Sequence, residues 1–255
     1  KIIKGGFFMT RRRFPVGKTL LYVFMSLWAL TTIYPFIWVI LNSFKPRGLI
    51  RSDTFSLPIG DKFTLENYVT AFKRVDIGTA YVNSIVISGA VTVVVMVLAG
   101  LAAYAMVRYS FRLRGFLHSM IIASMMFPVF STIIPVFRME SSWGIVNTGS
   151  IWLTRLSVVL PQIAGNLSFA IIVLMGFIRS LPVDLEGYNV YQIFFRIIMP
   201  LAKPSFATVG IFTFLWSYND LFLQMFFLRS KKFFTITRLL NEISSQAGTN
   251  SGLMV

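Results

Sequence analysis

LPVDLEGYNVYQIFFRIIMPL, residues 181–201, is the one long segment between strongly apolar runs that opens polar and is itself helical in pattern. Val190, Ile193, Phe194, Ile197 and Ile198 recur at helical spacing and share one face. Tyr188, Gln192 and Arg196 fall opposite. Pro200 and Pro204 are expected to end the helix, because proline lacks the N–H that a helix interior needs. A short amphipathic helix in a loop between apolar runs either lies on a lipid surface or docks against protein. Here the apolar face lacks flanking lysines, and Asp184 and Glu186 would be repelled by anionic lipid. Docking is therefore favoured, on the chain's own helices or in a partner's groove.

Composition sets the surroundings of that helix. Of 255 residues, 56% are hydrophobic and only 13% charged, and the mean hydropathy is +0.73. A soluble domain carries about 25% charge, so this is an integral membrane protein. With no cysteine, disulfide, thiolate and cysteine–metal chemistry are excluded, and the single histidine, His118, cannot build a multi-histidine metal site. No metal site is expected. The net charge of +15 reads as basic anchors beside membrane helices facing anionic headgroups. No basic patch stands apart from the spans, so nucleic acid is not an expected partner.

Residues 1–18 are basic and free of acid, with Lys1, Lys4, Arg11, Arg12, Arg13 and Lys18. The positive-inside rule makes them a cytoplasmic N-terminus. Residues 19–255 then form the transmembrane domain. Thr19–Phe44 carries no charge and is long enough to cross a bilayer, which takes about 20 residues; Pro35 should kink it. Lys45–Asp76 is a polar outer connection, with a short amphipathic helix starting near Thr64, where Thr64 and Asn67 are expected caps. Tyr81–Val107 is the second span, rich in small residues such as Gly89 and Gly100 that allow close helix packing. Gly115–Phe137 is the third, made irregular by Pro128 and Pro135. Arg138–Arg155 is an outer loop, Leu156–Ile178 the fourth span, and Ser205 to about Leu228 the fifth. Arg229, Lys231 and Lys232 then lie outside, against the positive-inside trend. Residues 229–251 form an extracytoplasmic loop. Five spans from an inside N-terminus leave the chain ending outside, so a sixth span is expected after Val255.

At residues 181–201 the pattern resembles the cytoplasmic loop of permease subunits of bacterial ABC importers, which carries a Glu-Ala-Ala…Gly…Ile…Leu-Pro signature. Leu181-Pro182…Asp184-Leu185-Glu186 resembles its opening, Gly187 its glycine, and Ile198-Met199-Pro200-Leu201 its close. The subgroup most resembled is the maltose-type, multiple-sugar, binding-protein-dependent permeases. Supporting stretches are Tyr34-Pro35-Phe36, Leu65-Glu66-Asn67-Tyr68, Asn83-Ser84, Ala102-Ala103-Tyr104-Ala105, Gly176-Phe177, Ser180-Leu181-Pro182 and Ser217-Tyr218-Asn219-Asp220, in the family's order along nearly the whole chain. One departure stands out. The family places an Ala-Ala pair and several further residues between the glutamate and the glycine, whereas Glu186 is followed directly by Gly187. Either the loop is truly shortened, which should damage coupling, or the sequence closes over residues the protein carries; the ending at Val255 favours the second.

The resemblance implies an all-α, polytopic helical bundle of the type I ABC importer permease kind in the bacterial inner membrane. It implies a second permease subunit, as a heterodimer, two cytoplasmic ATPase subunits that use ATP and Mg, and an extracytoplasmic solute-binding protein delivering an oligosaccharide. It assigns coupling to the ATPase to Leu181, Pro182, Asp184, Leu185, Glu186, Gly187, Tyr191, Phe194 and Pro200. For the substrate path the residues to test are Phe127, Asn166, Trp216, Tyr218 and Asn219, since aromatic faces stack on sugar rings and amides bond hydroxyls. Asn241, Ser244 and Gln246, in the loop that resembles the one entering the binding protein, are the expected contacts to it. The chain itself has no Gly-x-x-x-x-Gly-Lys-Ser/Thr loop, so energy must come from a partner. It is not an enzyme by itself, and no catalytic residue or bound cofactor is expected. Two other classes compete. An ion-coupled secondary transporter commonly shows internal repeats and intramembrane ionisable residues. Here no convincing repeat is found, and Asp220 is the main acid within a span. A membrane-embedded enzyme would need an acid/base constellation that is absent.

Overall fold

The computed structural model describes residues 16–181 and 192–247, all of it helical apart from turns and connecting segments. The described residues divide into two compact units, one of residues 16–73 with Ala247 and one of residues 74–181 with 192–246.

In the first unit, α1 (Val16–Ser43) is a 28-residue helix that runs without interruption through Pro35. It is apolar around its circumference and buries only Asn42 and Ser43, at its end. A helix apolar all round belongs in lipid or against other helices. The chain then folds into a small knot holding α2 (Arg47–Ser52) and α3 (Glu66–Arg74). Lys45 is fully buried there, and its ammonium donates to the carbonyls of Asp53 at 3.0 Å and Thr54 at 2.8 Å. Such pairing is what makes a buried charge tolerable. Asn67 is not a cap as expected. It is buried and donates from Nδ2 to the carbonyls of Ser43 and Lys45, closing the knot on the end of α1. Thr64 does serve the helix start, its hydroxyl accepting from the Glu66 N–H at 3.1 Å.

The second unit is organised around α4 (Ile77–Arg108) and α7 (Ile151–Ser180), both long and apolar enough to cross a membrane. They run in the same direction. The C-terminal halves of both meet in one apolar cluster, with Val95, Ala99, Ala103, Leu174 and Ile178, and the N-terminal halves contribute Ala80, Ile87 and Val158 to a second cluster. We call the end where α7 stops at Ser180 the loop end, since residues 182–191 follow it, and the opposite end the far end. Between α4 and α7 the expected third span is broken into α5 (Arg114–Ser124) and α6 (Val129–Ser142), bent by 102°. Pro128 sits at the N-cap of α6, where its missing N–H costs nothing. The helix α7 begins at Ile151, earlier than the sequence reading, so Arg155 lies in the helix rather than in a loop.

After residues 182–191 the chain returns as α8 (Ile193–Leu201), whose first six residues, Ile193–Ile198, are wound as a π-helix. An 80° bend leads to α9 (Lys203–Asn219), which runs back antiparallel to α4 and α7. Pro200 does not end the segment as expected. It sits in the opening turn of Met199–Leu201, and the break falls at Ala202, ahead of Pro204 in the first turn of α9. Asp220 separates α9 from α10 (Leu221–Phe227), so the fifth span also ends earlier than expected. Beyond a 3₁₀ turn at Lys231–Phe233, α11 (Ile236–Ala247) occupies much of what was read as a loop.

Candidate functional site

A cavity of about 760 Å³ opens on the second unit between the α5–α6 elbow, α7 and the α9–α10 junction. Phe127 of the elbow, Asn166 of α7, and Trp216 and Asn219 of α9 all line it. Four residues chosen from sequence for their sugar-binding chemistry therefore meet in one place. Tyr218 is not among the lining residues. It packs with the far-end cluster, its ring stacked on Phe214 at 5.8 Å.

The walls are set by the breaks in the helices. The elbow leaves Phe127 and Phe130 exposed, and Phe130 meets Phe222 edge-on at 4.9 Å. Trp216 packs against Phe169 at 4.8 Å, ring planes 65° apart, while remaining 47% exposed. The floor is polar. Asn166 donates to the carbonyl of Gln162 at 2.7 Å. Gln162 in turn donates from Nε2 to Asp220 Oδ2 at 3.1 Å and accepts from the Ser217 hydroxyl at 2.6 Å. The other oxygen of Asp220 accepts from the Leu223 N–H at 3.2 Å, capping α10. Thus Asp220 is a cap that also faces the cavity, and it is the one charged residue in the lining.

Sequence reading did not single out Gln162 or Phe169, and it named Ser217 only within the stretch Ser217-Tyr218-Asn219-Asp220. Gln162 was accessible to it: it stands four residues before Asn166 on a span, so the two amides share a face. From this floor a hydrogen-bonded chain runs to the far end. Ser217 Oγ lies 3.2 Å from Ser88 Oγ. Gln224 donates to the Ser217 carbonyl at 3.0 Å and accepts from the Thr235 hydroxyl. Asn83 donates to the carbonyls of Lys232 and Phe234 and accepts from Arg155 at 2.8 Å.

At the loop end, the residues assigned to coupling divide. Pro182, Asp184, Leu185, Glu186, Gly187 and Tyr191 lie outside the described residues. Leu181, Phe194 and Pro200 are described. Phe194 is fully buried; a Cβ added at Gly100 would lie only 2.9 Å from its ring tip and from that of Phe206. Arg108, the last residue of α4, donates to the carbonyls of Leu181 at 3.0 Å and Ile178 at 3.4 Å. Both flanks of 182–191 are therefore fastened to α4. The face read from the pattern is the one that packs: Phe194 and Ile198 are buried, while Gln192 and Arg196 are exposed. Of the residues expected to meet a binding protein, Asn241, Ser244 and Gln246 all fall on α11. Among the described residues no group of His, Asp or Glu is placed to hold a metal ion.

No protein-family model matches the chain. Individual relatives do. The diacetylchitobiose uptake system permease protein NgcG of Streptomyces coelicolor is 34% identical over 80% of this chain and 67% of its own length. The trehalose transport system permease protein SugB of Mycobacterium tuberculosis is 32% identical over 76% of this chain and 69% of its own. The probable ABC transporter permease protein YurM of Bacillus subtilis is 26% identical over 96% and 81%. Among solved structures, that of a bacterial ABC transporter involved in import of the acidic polysaccharide alginate superposes with a TM-score of 0.77 at 21% identity, over 94% of this chain and 90% of that one; it speaks for the fold. With three long apolar helices, two bent pairs and these relatives, the chain belongs to the ABC transporter permease family, as a membrane-spanning subunit of a binding-protein-dependent sugar importer.

Proposed function

We propose that this subunit forms one half of the translocation path for an oligosaccharide, the other half coming from a second, non-identical permease subunit. The observation that carries the reading is the cavity where Phe127, Asn166, Trp216 and Asn219 converge. Exposed aromatic faces with a few convergent amides suit a sugar, whose rings stack while its hydroxyls pair with amides. Diacetylchitobiose and trehalose, named for two relatives, are oligosaccharides. The cavity lies open at the side of the chain, which fits completion by a partner. Tyr218 acts from behind the wall, positioning α9.

The loop end faces the cytoplasm, as does the basic N-terminus, and residues 181–201 couple to two ATPase subunits that hold ATP and Mg. Leu181 and Phe194 fasten the loop to α4, so a push on 182–191 moves α4 and the cavity wall behind it. Residues 229–251, with Asn241, Ser244 and Gln246, face the extracytoplasmic binding protein. The test is ATP hydrolysis by the reconstituted complex, native and Glu186→Ala plus Gly187→Pro. Sugar-loaded binding protein should stimulate the native complex and fail to stimulate the variant while it still assembles. Equal stimulation of both would remove the coupling role. A complex that moves sugar without its ATPase subunits would favour the ion-coupled alternative.

A further inference from the structure

The cavity of the second unit carries a chemical bias beyond its shape. Among the described residues no lysine, arginine or histidine lines it. Its side-chain hydroxyls spend their protons on the protein. Ser124 donates to the carbonyl of Ile121 at 2.8 Å, so the 2.6 Å bond between Ser124 and Ser168 takes its proton from Ser168. Thr132 donates to the carbonyl of Val129 at 2.7 Å. A hydroxyl has one proton and two lone pairs, so what these three keep for a ligand is acceptor capacity. The amides lean the same way. Asn166 and Asn219 each donate to a carbonyl one turn back, that of Gln162 at 2.7 Å and that of Leu215 at 2.9 Å. Each retains its Oδ1 and a single N–H. The Nε2 of Gln162 is committed to the Ser217 carbonyl and to Asp220.

Asp220 completes the bias. Its two oxygens accept N–H donors from Gln162 and Leu223. No cation offsets it: the ion pairs among the described residues are Lys62–Asp53 and Arg238–Glu242. The donors left to a ligand are one N–H on each asparagine and the indole N–H of Trp216, all of them neutral. A sugar hydroxyl can donate to an acceptor-rich lining, as an ammonium can, whereas a carboxylate only accepts. An acidic sugar would enter without a cation to pair with, and Asp220 would repel it. Exclusion of this kind sets specificity as much as attraction does.

Resting on the translocation-path reading, we infer that Asp220 is a specificity-determining residue of that path: with the acceptor lining around it, it admits neutral and amino-bearing oligosaccharides and rejects acidic ones. The test binds sugars to the full complex without binding protein, which would otherwise choose among them first. Saturation-transfer NMR on the complex in discs of neutral lipid compares three disaccharides of one linkage: cellobiose, diglucosamine and cellobiouronate. The native complex should bind diglucosamine best and cellobiouronate worst. Asp220→Asn keeps an oxygen to cap α10. It should raise the cellobiouronate-to-cellobiose affinity ratio about tenfold and lower the diglucosamine-to-cellobiose ratio by a similar factor. Asp220→Glu should restore the native order. Co-purification with the partner subunits checks folding, and loss of signal in Trp216→Ala places the bound sugar in the cavity. A native complex that binds cellobiouronate as well as cellobiose, or an Asp220→Asn variant with both ratios unchanged, overturns the specificity role and leaves the path reading standing. A native complex in which none of the three sugars gives a signal that depends on Trp216 removes both.

Discussion

At the loop end of the second unit, α4 meets α8 and α9 through ring tips pressed onto Gly100, with apolar side chains on every side. At the far end the same helix α4 meets α7 and α9 through Ser88, Gln162, Ser217 and Asn83. The difference follows from what lipid does to each kind of contact. Hydrocarbon is as apolar as leucine, so an apolar helix contact in a membrane gains little from burial and depends on fit. A fitted contact transmits displacement as a rigid part does. A hydrogen-bonded contact can exchange partners when the helices shift, provided each polar group finds another. Under the coupling proposed above, this difference makes the loop end the lever and the far end the place where the path rearranges.

The largest expected effect is at the lever. Phe194→Ala leaves a void beside Gly100 and Tyr104, whose ring lies 6.0 Å from that of Phe194. In water-soluble cores such a deletion costs about 3–5 kcal/mol; in lipid the transfer part shrinks and the void part remains, so about 2–3 kcal/mol is expected. Thermal unfolding of the purified complex should show it, and stimulated ATP hydrolysis should fall further than basal hydrolysis. A variant with native stability would remove the fitted contact from the comparison. Gly100→Val attacks the same contact by overfilling and should cost about 1–2 kcal/mol. Gly89→Val, at a glycine of the same helix with open space around it, is the control and should be near neutral.

A smaller effect is expected at the polar end. Gln162→Leu removes the acceptor for the Ser217 hydroxyl and the donor to Asp220. Intramembrane hydrogen bonds average about 0.6 kcal/mol in double-mutant cycles, so the loss of stability should be about 1 kcal/mol. The larger change should be in transport, as a raised KM for sugar, because the cavity floor is disturbed. A stability loss equal to that of Phe194→Ala would mean that the two ends do not differ in kind.

The sequence declared the long spans readily and the broken ones poorly, and the prolines show why. Pro35, Pro135 and Pro161 all sit inside continuous helices, whereas Pro128 caps one and Pro204 opens another. A proline in an apolar run reveals a missing donor and a freed carbonyl; whether the chain bends there depends on neighbouring helices the local pattern does not contain. Asn67 carries the same lesson, since capping and cross-linking need the same amide. The cavity was more legible. Phe127, Asn166, Trp216 and Asn219 were picked by chemistry and meet, while Tyr218 turns away. Helical spacing accounts for it: 216, 219 and 220 are three and four apart and share a face, and 218 lies off it. The far-end polar chain was hidden because Ser88, Gln224 and Thr235 come from three segments that only tertiary packing joins.

The smallest effect sharpens the comparison from its wet edge. Asp76 caps α4 at the far end, Oδ1 accepting from the Thr79 N–H at 2.9 Å, and its hydrogen bonds to the Thr79 side chain and backbone hold its carboxyl below the usual aspartate range. A depressed folded-state pKa gives stability that is complete above the unfolded-state value, about 3.9, and is lost as pH falls through the lowered folded-state value. Asp76→Asn keeps a capping oxygen and loses only the charge. Its unfolding temperature should therefore sit slightly below native at neutral pH, and the gap should close in acid below the folded-state pKa. Because the group is in water, added salt should narrow the same gap, whereas the deficit of Phe194→Ala should ignore salt. If the Asp76→Asn deficit persisted unchanged in acid, the cap would be acting through shape rather than charge, and the far end would resemble the loop end more than its hydrogen bonds imply.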